Sequence, residues 1–240
     1  PKISVMKLPE KSRSLPSLAR SLSKEGYSTQ FLYGGDVNFT NMKSYLLSTG
    51  YQSVMGDTYF PQSVRSTHGW GVTDHIAFDT LANQLLDYLG PKPIFSTFLT
   101  LASHEPWQGP YNRIPDDMKA NAMAYTDDCI GRFVDKLRRS SLWNNLLLVF
   151  IADHGIGYPV ELTESNPQRS HIPMLWLGGA LRRHGVVDKY CQQSDLAATL
   201  LAQMHIDHSD FRFSRNVMSN GYTYPFVMHT FDNGFAYMDS

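Results

Sequence analysis

The chain has 240 residues, 42% of them hydrophobic, so it is long enough to bury the core of one large domain. Its 21 basic and 22 acidic residues nearly cancel and no basic run occurs, which argues against nucleic acid as a partner. No apolar run is long enough to span a bilayer, and no signal peptide is visible.

The first half of the sequence predicts alternating helices and strands. Apolar residues at helical spacing predict a helix over residues 14–25, and a β-rich run predicts a strand over residues 27–33. A short helix is expected over residues 39–47 and an amphipathic helix over residues 74–89. Residues 52–73 lack periodicity and contain several turn formers, so we expect a long surface loop of the kind that is often functional.

The second half continues this alternation and ends differently. Asn233 and Gly234 form a strong turn signal, which predicts an antiparallel hairpin over residues 226–238. Strands that alternate with helices indicate an α/β fold with a mostly parallel sheet flanked by helices on both faces. Because no linker is evident, we expect one domain. The remaining predicted elements are strands over residues 91–101, 146–152 and 172–177 and helices over residues 117–140 and 195–204.

Three predicted strands end in polar clusters. These clusters are Gly34-Gly35-Asp36, Ser103-His104 and Asp153-His154-Gly155. In a parallel sheet the carboxyl ends of the strands meet at one edge, so we predict that Asp153 and His154 share a crevice with His104. A carboxylate next to an imidazole offers the oxygen and nitrogen donors that suit Zn²⁺ or Mn²⁺.

Each polar cluster also has a purely structural explanation. Asp36, after two glycines, is typical of a turn and a helix N-cap, and an Asp-His pair can cap the segment that follows its strand. Arg169 and His171 form a fourth polar group directly before the strand over residues 172–177. In a parallel sheet this group enters from the opposite end, unless its loop folds back.

Several segments together resemble the sulfatase/alkaline phosphatase superfamily, and within it the lipoteichoic-acid-synthase-like phosphoglycerol transferases. Thr100, His104, Pro106 and Trp107 fall at the spacing of one characteristic segment, and residues 151–155 match the metal-binding strand end. The matches follow the family's order along the chain. The others are Tyr33-Gly34-Gly35-Asp36 with Phe39, Asn41 and Met42, Gly50-Tyr51, residues 171–175 and residues 194–201.

The resemblance implies an alkaline-phosphatase-like fold and a role for each matched residue. Asp153 and His154 would hold a divalent ion, Mn²⁺ or Zn²⁺. His104 would contact the phosphate or sulfate group and protonate the leaving oxygen, after attack by a metal-activated alkoxide that forms a covalent ester. The further expected substrate-binding residues are Asp36, Arg169 and His171.

The nucleophilic Thr or Ser of this family and its first acidic metal ligand have no match in the chain. The resemblance implies that they lie on segments before Pro1, so we expect residues 1–240 to be an inactive carboxyl part of a catalytic domain. The parent protein would be anchored in a bacterial cell membrane by an amino-terminal transmembrane region, with its catalytic domain outside the cytoplasm. Thr40 and Met42 replace an aromatic residue and an Arg of the phosphoglycerol transferases, which leaves the head group open.

The leading functional prediction is therefore a fragment of a metal-dependent phospho- or sulfo-ester transferase or hydrolase. Transfer of phosphoglycerol or a related phospholipid head group comes first, because the segments around Asp36 and His104 resemble that branch. One alternative is a sulfatase, and another is a non-catalytic sulfatase-like binding domain. An unrelated α/β hydrolase is disfavoured, because no Gly-x-Ser-x-Gly sequence occurs.

Overall fold

The computed structural model describes residues 5–65 and 69–239. The chain forms two compact units that divide between Leu142 and Trp143. The first unit contains a parallel sheet with helices, and the second contains two antiparallel strand pairs and one α-helix. Among the described helices, none is both long and apolar enough to cross a membrane.

The sheet of the first unit has the order β2-β1-β3, with all neighbours parallel. The strands are β1 (Ser28–Tyr33), β2 (Ser53–Met55) and β3 (Ile94–Leu99). Strand β2 was not predicted, because it lies within residues 52–73, where a surface loop was expected. Its three residues are too few to show the alternating hydrophobic pattern of a strand. Residues 66–68 of that predicted loop lie outside the described residues.

Helix α1 (Pro9–Ser12) was not predicted, and the other described helices of the first unit differ from the predicted ones only at their ends. Helix α5 begins after Asp117, whose carboxylate accepts a hydrogen bond from the backbone N–H of Ala120 at 2.8 Å. Helix α4 ends at Leu86, three residues before the predicted end, and Leu89 is 95% exposed. The helices are α1 (Pro9–Ser12), α2 (Leu18–Lys24), α3 (Met42–Ser48), α4 (Asp74–Leu86) and α5 (Met118–Arg138).

Both faces of this sheet carry packed aromatic side chains. The ring of Phe78 on α4 packs against Phe98 of β3, at 4.6 Å between centroids, and against Phe133 of α5, at 5.2 Å. Side chains alternate between the faces of a strand, so Phe95 lies on the other side from Phe98. There it stacks on Tyr51, at 6.0 Å between ring centroids. Burial on both faces therefore holds β1 and β3 in a fixed register.

The second unit departs from the predicted parallel arrangement. Strands β4 (Leu148–Ile151) and β5 (Met174–Leu177) are antiparallel, with Ile151 opposite Met174. Of the two cases that the sequence left open for Arg169 and His171, the antiparallel pairing excludes entry from the opposite end. Because β5 runs back along β4, the residues before β5 lie at the same edge as those after β4.

The helix and the C-terminal hairpin of the second unit agree closely with the predicted ones. Helix α6 (Asp195–Gln203) ends one residue before its predicted end. The C-terminal hairpin is present as β6 (Phe226–Phe231) and β7 (Gly234–Asp239), with Phe231 opposite Gly234 across the turn. The 3₁₀ segments of the chain are Val5–Lys7, Phe39–Asn41, Asp57–Tyr59, Gln62–Val64, Ser141–Asn145 and Pro167–Ser170.

Candidate functional site

The carboxyl ends of β1 and β3 lie side by side, as the sequence predicted. Tyr33 is opposite Leu99 in the register, so Asp36 and His104 follow neighbouring strands. A third segment joins this edge, because Gly71 forms an antiparallel bridge with Gly35. Gly71 has φ 150° and a Cβ there would overlap the carbonyl of the facing strand, so only glycine fits. The bridge brings the neighbouring Trp70 to the same edge.

Asp36 is exposed and takes part in the turn that it begins. Its Oδ1 accepts hydrogen bonds from the backbone N–H of Asn38 at 2.8 Å and from the side-chain amide of Asn38 at 3.0 Å. This is the local role that the structural explanation expected. A contact between Asp36 and the polar head of a substrate stays a prediction.

His104 is exposed and lies among aromatic rings. Its Nδ1 is 2.9 Å from the carbonyl oxygen of Glu105, and because a carbonyl only accepts, Nδ1 carries the hydrogen. Nε2 is then the nitrogen that carries the lone pair in the neutral ring. The imidazole centroid lies 5.1 Å from the ring of Trp70 and 6.5 Å from the ring of Trp107.

The side chain of Asp74 supports this edge, although in the sequence it is only an acidic residue at a predicted helix start. Its side chain is buried, with the residue 1% exposed. The carboxylate accepts hydrogen bonds from the backbone N–H groups of Leu101 at 2.8 Å and Ala102 at 3.1 Å, and from the hydroxyl of Thr126 at 3.1 Å. These bonds fasten the end of β3, just before His104, to helices α4 and α5.

A second buried polar contact lies next to Asp74 in the sequence. The hydroxyl of Tyr125 is 2.8 Å from Nδ1 of His75 and accepts a hydrogen bond from its backbone N–H at 3.1 Å. Burial is the main cause that raises the pKa of Tyr125 above its ordinary value. The hydroxyl therefore stays protonated at neutral pH and acts as a link between α4 and α5.

In the second unit, Asp153 and His154 directly follow β4 and are exposed. The carboxylate Oδ2 and the imidazole Nε2 are 3.9 Å apart. Nδ1 of His154 is 3.1 Å from the carbonyl oxygen of Gly155, so it carries the hydrogen and Nε2 keeps its lone pair when the ring is neutral. The side-chain amide of Gln193 donates to the carbonyl oxygens of Ala152 at 2.7 Å and Asp153 at 3.0 Å, which fixes this backbone.

The predicted Arg169 and His171 group lies beside the Asp153 edge. A Cβ at Gly155 would overlap the carbonyl of Arg169, so the two segments touch through their backbones. The guanidinium of Arg169 donates to the carbonyl of Leu162 at 3.2 Å, within its own loop. The position of both residues near Asp153 agrees with a shared site, while their contact with a substrate stays a prediction.

A buried ion pair that the sequence did not indicate holds the start of α6, next to Gln193. The buried carboxylate of Asp195 accepts from Gln192 N at 2.8 Å and from Arg215 N, Nε and Nη2 at 2.8, 3.0 and 2.5 Å. Burial alone would lower the pKa of Arg215, but the hydrogen bond and charge of Asp195 outweigh it and raise that pKa. The guanidinium of Arg215 therefore keeps its proton and its positive charge beside Asp195.

The donor set at Asp153 and His154 fits a divalent metal in part. A carboxylate oxygen and an imidazole Nε2 are suitable donors for Zn²⁺ or Mn²⁺. Among the residues that the structure describes, no group of three or more His, Cys, Asp or Glu could hold an ion. Catalytic zinc sites usually have three protein ligands, so a complete site would need a ligand from elsewhere. The shared crevice of His104 with Asp153, which belongs to the other unit, stays a prediction.

Comparison with known proteins gives the family. The family model described as Sulfatase matches residues 2–206, and the chain therefore belongs to the sulfatase family. Within it, the chain is similar to phosphoglycerol transferases and lipoteichoic acid synthases.

One curated relative and two solved structures show the extent of this similarity. Phosphoglycerol transferase I of Xanthomonas campestris is 27% identical over 218 residues, which cover 83% of this chain and 30% of the relative. A Vibrio parahaemolyticus protein in the alkaline phosphatase superfamily has a TM-score of 0.84 and 28% identity, covering 98% of this chain and 59% of that one. The lipoteichoic acid synthase LtaP of Listeria monocytogenes has the same fold, with a TM-score of 0.79, 19% identity and coverage of 95% and 61%. The chain thus spans about a third of the curated relative's length.

Proposed function

We propose that this chain is the carboxyl part of the catalytic domain of a metal-dependent phospho-ester transferase that acts on phosphoglycerol or a related phospholipid head group. The observation that carries the proposal is the pair Asp153 and His154, whose donor atoms lie 3.9 Å apart at the end of β4. The names of the relatives support a phosphoglycerol group over a sulfate.

The residues of the chain have distinct tasks in this proposal. Asp153 and His154 would hold a divalent ion, Mn²⁺ or Zn²⁺, which when bound would supply the positive charge that favours an ionised hydroxyl nucleophile. Asp36 hydrogen-bonds the hydroxyls of the head group, since a carboxylate accepts from hydroxyl donors. Arg169 and His171 stand beside the metal pair, where a guanidinium can bind phosphate oxygens.

His104 moves the proton in the transfer. The ionised oxygen of a Thr or Ser, expected on a segment before Pro1, attacks phosphorus while the bond from phosphorus to the departing alcohol breaks. The departing alcohol oxygen takes the proton from Nε2 of protonated His104, and a covalent phospho-ester remains on the protein. An acceptor hydroxyl or water then gives its proton back to Nε2 of His104 as its oxygen attacks phosphorus, and the Thr or Ser oxygen leaves in its ionised form.

The proposed setting follows from the proposed substrate. A phospholipid head group is presented at a membrane surface, so the parent protein would be anchored in a bacterial cell membrane by an amino-terminal transmembrane region. The catalytic domain would lie on the extracytoplasmic side.

The test uses the full parent protein with its upstream segment. We expect turnover of phospholipid head groups that requires Mn²⁺ or Zn²⁺. Asp153→Ala should abolish both metal binding and turnover. His104→Ala should lower the rate on the order of a hundred- to ten-thousand-fold, while metal affinity, measured by calorimetry, stays nearly unchanged.

Two surface variants provide matched controls. Asp127→Ala, exposed on α5, and His184→Ala, exposed in the loop after β5, should leave turnover unchanged. Cleavage of aryl sulfates in preference to phospho-esters would make the protein a sulfatase. Metal binding without cleavage of phospholipid head groups, aryl phosphates or aryl sulfates would contradict the enzyme proposal and favour a non-catalytic binding domain.

A further inference from the structure

Two tryptophans flank His104 at the edge of the first unit. Trp70 lies on the segment that bridges to Gly35, and its ring is tilted by 40° from the imidazole plane. Trp107 lies three residues after His104, with its ring at 23° to the imidazole. The two segments are joined by a hydrogen bond of 3.2 Å from the backbone N–H of Gly69 to the side-chain oxygen of Gln108.

The placement of both rings is not explained by core packing. Trp70 is 47% exposed, although an indole gains most by burial. Trp107 has φ 59°, in the left-handed region that bulky residues seldom adopt. Strained backbone and exposed aromatic side chains both concentrate at binding sites. The two observations are independent and concern the same small area.

The position of His104 indicates which part of a substrate lies against the indoles. In the proposed reaction the bond from phosphorus to the alcohol breaks, and the alcohol oxygen takes the proton from Nε2 of His104. In that reaction the carbon skeleton beyond that oxygen would lie beside the imidazole, where the rings of Trp70 and Trp107 are within 5.1 and 6.5 Å of the imidazole centroid. Nζ of Lys119 is 5.7 Å from the ring centroid of Trp107, so a cation also lies beside this indole.

We propose that Trp70 and Trp107 form a subsite for the alcohol part of the phospho-ester, selective for alcohols with an aryl or alkyl surface over small polar ones. The indole faces offer dispersion and stacking contacts but no carboxylate for hydroxyl groups. The bridge between Gly71 and Gly35 places this apolar subsite next to Asp36, so a polar head and an apolar alcohol have separate places. The inference rests on the proposed function for the identity of the ester, but its binding preference can be measured without turnover.

The test compares phenyl phosphate with methyl phosphate, which carry the same phosphate on different alcohols. Calorimetric titration of the 240-residue chain should show phenyl phosphate binding about 3- to 10-fold more tightly, the effect of one aromatic stacking contact. Trp70→Ala and Trp107→Ala should each bring the two affinities closer together, and Trp70→Phe should restore part of the preference. Trp143→Phe, in the other unit, is the matched control and should change nothing.

The titrations can contradict the proposed subsite in three ways. The inference is wrong if neither ester binds, if the two bind equally, or if the preference survives in both alanine variants. Circular dichroism of Trp70→Ala should match the parent chain, because its ring is half exposed, and Trp70→Phe provides the answer should the alanine variant misfold. If the full parent protein shows no turnover of phospho-esters but the chain still prefers phenyl phosphate, the proposed reaction is wrong while the subsite is supported.

Discussion

The two units of the chain hold their candidate residues by different means. The first unit buries a continuous set of hydrophobic side chains under a parallel sheet, from Ala19 to Leu137. In the second unit none of the four side chains of β4 is fully buried, and Met174 and Leu175 of β5 are exposed. Of the hydrophobic residues that the structure describes after Leu142, those that are fully buried are Ala198, Leu200, Leu201, Val217 and Tyr222.

Polar contacts hold both halves of the candidate site, but in the part of the chain that the structure describes only the first unit supports them with a packed hydrophobic core. His104 follows a strand whose end is fastened by the buried carboxylate of Asp74. Asp153 follows a strand whose end is held by the amide of Gln193, beside the ion pair of Asp195 and Arg215. Variants of each unit should therefore respond to different changes.

The largest expected effect is on the ion pair of the second unit. Asp195→Ala leaves the guanidinium of Arg215 without its partner in a mostly buried place, and removing one member of a buried pair costs about 3–5 kcal/mol. We expect this loss in urea unfolding, with faster hydrogen exchange confined to residues after Leu142. Asp188→Ala, exposed in the preceding loop, is the control. A loss below about 1 kcal/mol, typical of an exposed pair, would contradict this account.

The next largest effect is the loss of stability when a hydrophobic side chain is truncated, which should differ between the two units. Leu32→Ala opens a cavity in the centre of the first unit, where such truncations cost about 2–5 kcal/mol. Phe150→Ala in β4 removes a larger side chain but from a partly exposed place, so we expect a smaller loss. Urea unfolding of both variants measures the difference. Equal losses in the free energy of unfolding would mean that β4 is packed as tightly as β1, which would contradict the difference in packing between the two units.

Asp74 provides a polar test within the well-packed unit. Asp74→Asn places an amide against backbone N–H donors, and each buried donor left unpaired costs about 1–3 kcal/mol. In the active parent protein we also expect a lower kcat with little change in KM, because the loop of His104 loses its anchor. Asp79→Asn on the same helix, in an exposed pair with Lys136, should cost no more than about 1 kcal/mol. An unchanged kcat in Asp74→Asn would show that the loop does not depend on this carboxylate.

The smallest effect concerns alkaline pH. Burial raises the pKa of Cys129 above its ordinary value of 9.0, so the folded state holds the thiol proton more tightly than the unfolded state. This contribution is complete below pH 9 and is lost as the pH rises towards the folded pKa, by at most about 1.4 kcal/mol per pH unit. Cys129→Ala should flatten the pH dependence of unfolding of the first unit above pH 9. Cys191→Ala, in the second unit, should leave it unchanged.

The sequence predicted the parts of the fold that depend on periodicity and turn chemistry. The meeting of Asp36 and His104 at one sheet edge followed from two parallel strands, and the hairpin followed from Asn233 and Gly234. The direction of β5 could not be predicted, because an apolar run has the same pattern in either direction. The connection from β4 to β5 is long enough for both directions, so the sequence left open at which end of β4 His171 lies.

The buried carboxylates that support the site could not be predicted from the sequence, for a different reason. Asp74 and Asp195 both stand at helix starts, where an acidic residue ordinarily interacts with the helix dipole at the surface. Their burial and their partners depend on segments far away in the chain, such as Leu101 and Arg215. A single sequence contains no local signal that separates such an anchor from a solvated carboxylate.

The backbone contact between Gly155 and Arg169 limits how this chain can vary. Gly155 does not need a left-handed φ, but any side chain there would collide with the returning loop. In a saturation mutagenesis library, position 155 should tolerate almost no substitution, while Gly131 and Gly185, which face open space, should tolerate many. Gly155 is therefore required because the loop around Arg169 leaves no space for a side chain. If selection keeps a glycine at position 155, the cause is this steric conflict and not a role in metal binding or catalysis.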